Sequence, residues 1–111
     1  MAVNEISIGE LATFIGDGST NASVRVVDVR ESDEYISGHV PGALHAPLSS
    51  LPDFVDLFDS ETTTYVICQA GGRSMRACEY LESLGKKVTN VAGGTGAWIA
   101  IGNPVTAGDQ P

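Results

Sequence analysis

The sequence predicts an α/β domain whose mainly parallel sheet is covered by helices on both faces, and three observations carry that expectation. Strand-like and helix-like segments alternate along the chain, the order that puts helices in the crossovers between parallel strands. Val24, Val26, Val27 and Val29 make a near-continuous β-branched run, the pattern of a strand buried on two faces rather than one. The length, 111 residues, suits one compact domain whose core needs no disulfide or metal as a staple.

Taken in order, Asn4 to Ile8 is expected as a short first strand. Ser7-Ile8-Gly9-Glu10 has capping-box spacing ahead of Leu11, Phe14 and Ile15, so a helix should begin near Ser7. The turn residues of Gly16 to Asn21 should stop it. The valine run then reads as a central strand, and it leads into Asp28-Val29-Arg30-Glu31-Ser32-Asp33-Glu34-Tyr35, where acidic groups gather at the favoured first turn of a short helix. Gly38 to Ala43 reads as a turn and Ala43 to Ala46 as a brief strand closed by Pro47. Ser50-Leu51-Pro52-Asp53 opens an amphipathic segment with Leu51, Phe54, Val55 and Phe58 near helical spacing, proline being tolerated in a first turn.

Tyr65-Val66-Ile67 is again strand-like. In the helix that follows the next loop, Ser74, Ala77, Cys78 and Leu81 fall at i, i+3, i+4 and i+7, a small apolar face able to lie close to a sheet. Gly85 is placed as its C-cap. Lys87 to Val91 reads as the last strand, and Gly93-Gly94-Thr95-Gly96-Ala97-Trp98 as a tight turn into a short terminal helix. Trp98 is expected to be a packing residue with its N–H satisfied nearby, and the tail from Asn103 to fray.

Six basic against fourteen acidic residues give a net charge of −8, a poor basis for holding a phosphate backbone, so nucleic acid is not expected as a partner. The first residues lack a basic region followed by an apolar one, and no apolar run approaches the roughly 18 residues of a membrane span. A cytoplasmic protein is therefore expected. The two cysteines, Cys68 and Cys78, are too few for a secreted disulfide scaffold and are read as reduced thiols.

The chemistry is expected at Cys68-Gln69-Ala70-Gly71-Gly72-Arg73-Ser74, which joins a strand directly to a helix. A cysteine there faces unpaired backbone N–H groups and the positive end of a helix dipole, and both favour thiolate over thiol. Arg73 adds a cation, either for substrate or for a structural pair with a carboxylate such as Glu79 or Glu34. Gly71 and Gly72 can take the positive φ angles that a nest of N–H groups requires. Gln69 and Ala70 enter as backbone donors, and Ser74 as a helix cap and a substrate contact. Cys78 belongs to the apolar helix face, with a resolving thiol as the alternative. His39 and His45 have no metal-site spacing with the cysteines and are read as turn or surface residues. Asp28 and Arg30 suit a buried ion pair bracing the strand end or the loop.

These motifs resemble the rhodanese family of sulfurtransferases in its stand-alone, single-domain form. Val27-Asp28-Val29-Arg30-Glu31 with Gly38-His39-Val40-Pro41-Gly42-Ala43 looks like the family's N-terminal signature, Cys68 to Ser74 like its active loop, and Gly93-Gly94, Ala97-Trp98 and Pro104-Val105 like its C-terminal one. The resemblance implies a sheet of about five strands, with the loop at the strands' carboxyl ends. It also implies a Cys68 persulfide passing sulfane sulfur from a donor such as thiosulfate to cyanide or a thiol, with Gln69, Ala70, Gly71, Gly72, Arg73 and Ser74 binding the substrate. No metal or organic cofactor is implied. The phosphatases sharing the fold are similar, but five residues separate their Cys and Arg, whereas four do so here. Arg73 is the only full positive charge of the loop, whereas the family's thiosulfate-specialised members carry further basic residues there, so weak turnover of thiosulfate is what the resemblance implies. The reading from another class is a sulfur carrier or regulatory module loaded by a persulfide-donating or sulfur-accepting protein, without turnover of small donors.

Overall fold

The computed structural model describes residues 3–15 and 24–111; the turn expected over 16–21 lies outside them. Among the described residues, β1 (Asn4–Ile6), β2 (Arg25–Asp28), β3 (Leu44–His45), β4 (Thr64–Ile67) and β5 (Val88–Val91) form one sheet in the order β1-β5-β4-β2-β3. Every pairing is parallel. The connections contain α1 (Ile8–Ile15), α2 (Ser32–Ser37), a 3-10 segment (Leu48–Leu57) and α3 (Gly72–Ser83), and α4 (Gly94–Ala100) follows β5. The valine-rich strand is interior but not central: β4 occupies the middle of the sheet and carries the Cys68–Ser74 loop at its carboxyl end.

Alternate strand residues feed two cores, which is why the strands read as continuous apolar runs. Val27, Val66 and Val88 pack with Ala77, Cys78 and Leu81 of α3 and with Leu51 of the 3-10 segment. Val26, Ile67 and Val91 pack with Ile8, Leu11 and Ile15 of α1 and with Trp98 of α4. The local signals hold where their partners are local. The Glu10 N–H donates to Ser7 Oγ and the Ser7 N–H to Glu10 Oε1, both at 3.1 Å. At the end of α3, Gly85 has φ +80°; its N–H donates to the Glu82 carbonyl at 2.9 Å and the Lys86 N–H to the Leu81 carbonyl at 3.0 Å. Together these are the crossed pair of a Schellman cap.

Three expectations are corrected. The segment expected to be helical from Ser50 is a 3-10 run that starts at Leu48 and kinks at Ser50 (φ −123°, ψ 15°). Pro52 lacks an N–H and disfavours helical φ/ψ at the residue before it, so no regular α-ladder forms across it. The tail, expected to fray, is hydrogen-bonded to the body of the domain. Asn103 N–H donates to the Trp98 carbonyl at 3.2 Å, Thr106 and His39 exchange backbone hydrogen bonds at 2.8 and 2.9 Å, and Gly108 N–H donates to the Ile36 carbonyl at 2.8 Å. The Trp98 indole N–H completes this seam by donating to the Pro104 carbonyl at 2.6 Å.

His39 is the third correction: it is neither a turn nor a surface residue but fully buried. Its ring stacks on Tyr35 at 3.7 Å, and its two nitrogens lie 2.8 Å from the carbonyl oxygens of Tyr35 and Gln110. His45 stacks on the same tyrosine at 4.4 Å and sits 2.8 Å from the Arg30 carbonyl. No helix of the described residues is long and apolar enough to cross a membrane.

Candidate active site

Strand β4 ends at Ile67 and delivers Cys68 to the carboxyl edge of the sheet, almost wholly covered at 1 % exposure. Gly71, at φ +106°, then reverses the chain. That left-handed turn, cheap only for glycine, brings the Gly71 N–H back to 3.1 Å from Cys68 Sγ. The chain enters α3 at once, which places the Ser74 hydroxyl 3.3 Å from the same sulfur. Ser74 Oγ is also 3.2 Å from the Gly71 carbonyl; its single proton serves one acceptor at a time, and a thiolate is the stronger one.

Burial opposes ionisation of Cys68. Hydrogen bonds from the Ser74 hydroxyl and from the N–H groups of Ser74, Gly71 and Ala70 outweigh it and hold the thiol below its ordinary range. Ser74→Ala should therefore move the pH dependence of Cys68 alkylation upward. The rate rises as pH passes through the thiolate's pKa, so the variant should lag at neutral pH and converge on the wild type in alkali. Coincident profiles would remove Ser74 from the electrostatics of the site.

The loop's own carbonyls are held from behind. Thr95 N–H donates to the Cys68 carbonyl at 2.8 Å and Gly96 N–H to the Gln69 carbonyl at 3.0 Å. With those oxygens committed to the start of α4, the loop's N–H groups are free to turn inward to the sulfur. From the other side, Arg30 donates through Nη1 to Gln69 Oε1 at 3.2 Å and through Nη2 to the Gly38 carbonyl at 2.7 Å. Its Nη2 also pairs with Asp28 Oδ2 at 2.8 Å, and its Nε is 3.1 Å from both Asp28 oxygens, in a pair that is all but fully buried. The expected ion pair is therefore present, and it braces the loop. Asn90 on β5 adds a contact of 3.3 Å from Nδ2 to the Gly71 carbonyl, and the same amide donates to Glu5 Oε2 at 2.8 Å.

The expected site residues thus divide by role. Ala70, Gly71 and Ser74 converge on Cys68, whereas the side chain and carbonyl of Gln69 face away, toward Arg30 and α4. Gly72 does not adopt a positive φ; it is the first residue of α3, and a Cβ there would meet open space. Arg73 is held by Glu34, not Glu79: Nη1 to Oε1 is 2.6 Å and Nη2 to Oε2 is 2.8 Å. Arg73, chiefly by these bonds, pulls the Glu34 carboxyl down to about 2. Cys78 is a free, fully buried thiol whose burial pushes its pKa up to about 12, a core residue rather than a reactive one. Glu34 is one of the two carboxylates the sequence offers to Arg73, whereas Asn90, Gly94, Thr95 and Gly96 are site neighbours that it does not single out. The density of glycine in Gly93-Gly94-Thr95-Gly96 was the available signal for three of them, because a backbone approached closely by another backbone requires it.

The Rhodanese-like domain family matches residues 7–101. A sulfurtransferase of Allochromatium vinosum is 33% identical over 106 residues, covering 95% of this chain and 96% of that protein. The thiosulfate sulfurtransferase GlpE of Tolumonas auensis is 35% identical over 86 residues, covering 77% and 80%. Among solved structures, a rhodanese-related protein from Thermoplasma volcanium superposes with a TM-score of 0.81 at 32% identity, over 93% of this chain and 97% of that one. With the family matched across most of the chain and the five-stranded parallel sheet shared with its solved members, this protein belongs to the rhodanese-like domain family.

Proposed function

We propose that the protein is a sulfurtransferase that moves sulfane sulfur to a thiophilic acceptor through a Cys68 persulfide. The observation that carries the reading is the convergence of the Gly71 N–H and the Ser74 hydroxyl on a covered thiol whose ionisation they favour. The Cys68 thiolate attacks the outer sulfur of the donor. A new bond forms to Sγ, the donor's S–S bond breaks, and its electron pair leaves as sulfite from thiosulfate or as a thiolate from a persulfide. The terminal sulfur now carries the negative charge, and the loop's N–H groups stabilise it. Cyanide or a thiolate then attacks that sulfur, and the pair of the broken S–S bond returns to Cys68. The relatives' names support this class of transfer. Two free thiols and a net charge of −8 suit a reducing, cytoplasmic setting.

The test is intact mass followed by peptide mapping after incubation with thiosulfate or an alkyl persulfide. A gain of one sulfur confined to the peptide holding Cys68, with many acceptor molecules converted per protein, is the expected result. Loading that stops at one sulfur per chain and discharges only to a protein partner would instead establish a carrier. No gain from either donor would overturn both readings.

A further inference from the structure

The loop between Cys68 and Ser74 contains one full cation, Arg73, and that charge is already matched. Both ends of its guanidinium meet both oxygens of Glu34, at 2.6 and 2.8 Å, in a fork-to-fork pair. Glu34 is not a loose surface partner: it lies in the first turn of α2, where its Oε1 also accepts the Glu31 N–H at 3.3 Å. The second arginine at the loop, Arg30, is likewise matched by Asp28. What remains for an incoming donor is a set of backbone N–H groups and one hydroxyl, in a chain of net charge −8.

We infer that Glu34 determines donor choice by occupying Arg73, so that a persulfide of low charge is taken in preference to a compact dianion such as thiosulfate. The inference rests on the sulfurtransferase reading and deepens it. A persulfide carries one negative charge, placed on the sulfur to be transferred or on its neighbour, and the loop's N–H groups meet that charge directly. Thiosulfate brings two charges, spread over oxygens that need a cation outside the sulfur cradle. To supply it, Arg73 must leave Glu34 or share its charge with it, and in either case the carboxylate opposes the incoming dianion. The pair is about one-third exposed at each partner, so solvent softens this repulsion without removing it. Glu34 is a positioning and screening residue here; it touches no reacting atom.

Glu34→Gln keeps the shape of the side chain and removes its charge. The ratio of kcat/KM for thiosulfate to kcat/KM for an alkyl persulfide bearing no other charge should rise about tenfold, a change on the order of 1.4 kcal/mol. A lower KM for thiosulfate should carry the rise, and added salt should erode it. In an Arg73→Gln background the same Glu34→Gln change should lose most of that gain, because the charge it frees is gone; this coupling is what a merely structural role would not produce. Glu34→Ala, with its urea midpoint measured alongside, provides the second substitution in the same direction. An unchanged donor ratio, or a gain of equal size without Arg73, overturns the inference while leaving sulfur transfer intact. Failure of the wild type to load from either donor removes the sulfurtransferase reading and this inference with it.

Discussion

Cys68→Ser should lower catalysed sulfur transfer by about a thousandfold or more, the scale on which removal of a covalent nucleophile is felt, while leaving the fold in place. Serine presents an oxygen to the same donors, the Gly71 N–H and the Ser74 hydroxyl. They cannot make a hydroxyl into an anion near neutral pH, nor can an oxygen form the persulfide. Because the buried hydroxyl finds hydrogen-bond partners, stability should change by only about 1–2 kcal/mol. Steady-state transfer from thiosulfate and from an alkyl persulfide, beside urea unfolding of both proteins, separates the two effects. A serine variant that still turned over would place the reaction elsewhere in the molecule.

Gly94→Ala is expected to be the most damaging one-carbon change near the site. Gly94 holds φ +63°, and a Cβ built there would stand 2.3 Å from the Cys68 carbonyl oxygen and 2.6 Å from that of Gln69. Both obstacles are backbone, so neither can swing aside. To admit the methyl, α4 must withdraw from the loop, which breaks the bonds from Thr95 to the Cys68 carbonyl and from Gly96 to the Gln69 carbonyl. The left-handed conformation costs alanine roughly 1–2 kcal/mol, and each lost hydrogen bond about another 1. The sum is on the order of 3–4 kcal/mol before the overlap is relieved.

Loss of those bonds should also free the loop carbonyls to turn, so that Cys68 titrates at higher pH than in the parent protein. The matched comparison is Gly72→Ala, which adds the same methyl into open space at a residue with no positive φ and should leave stability within about 1 kcal/mol. Urea midpoints and the pH dependence of Cys68 alkylation read both changes. Equal behaviour of the two alanine variants would mean that the approach of α4 does not shape the loop.

The two glycines show why part of the site was legible and part was not. In the sequence, Gly71 and Gly72 are adjacent and interchangeable, and Gly94 belongs to a different motif. What separates them is a dihedral angle at Gly71 and a neighbouring backbone at Gly94, neither of which residue identity encodes. Arg73 shows the same limit. Its need for a carboxylate followed from charge, but charge alone does not choose between Glu79 and Glu34, and only the placement of α2 beside the loop selected Glu34. The hydrogen bonds of the tail were not legible because its partners, His39 and Ile36, lie far back along the chain.

By itself, the sequence determined the properties whose causes are local. The capping box at Ser7, the buried face Ser74-Ala77-Cys78-Leu81, the turn at Gly85 and the thiol at a strand-to-helix junction each depend on neighbours within a turn or two of chain, and each is found as read. The tertiary structure alone decided that β4 lies in the middle of the sheet, that α4 binds the loop's carbonyls, that Arg30 reaches Gln69 and that Glu34 neutralises Arg73. These contacts join residues far apart in the chain. They follow from the order of the strands, which periodicity and capping leave open and which the packing of two helical layers against one sheet resolves.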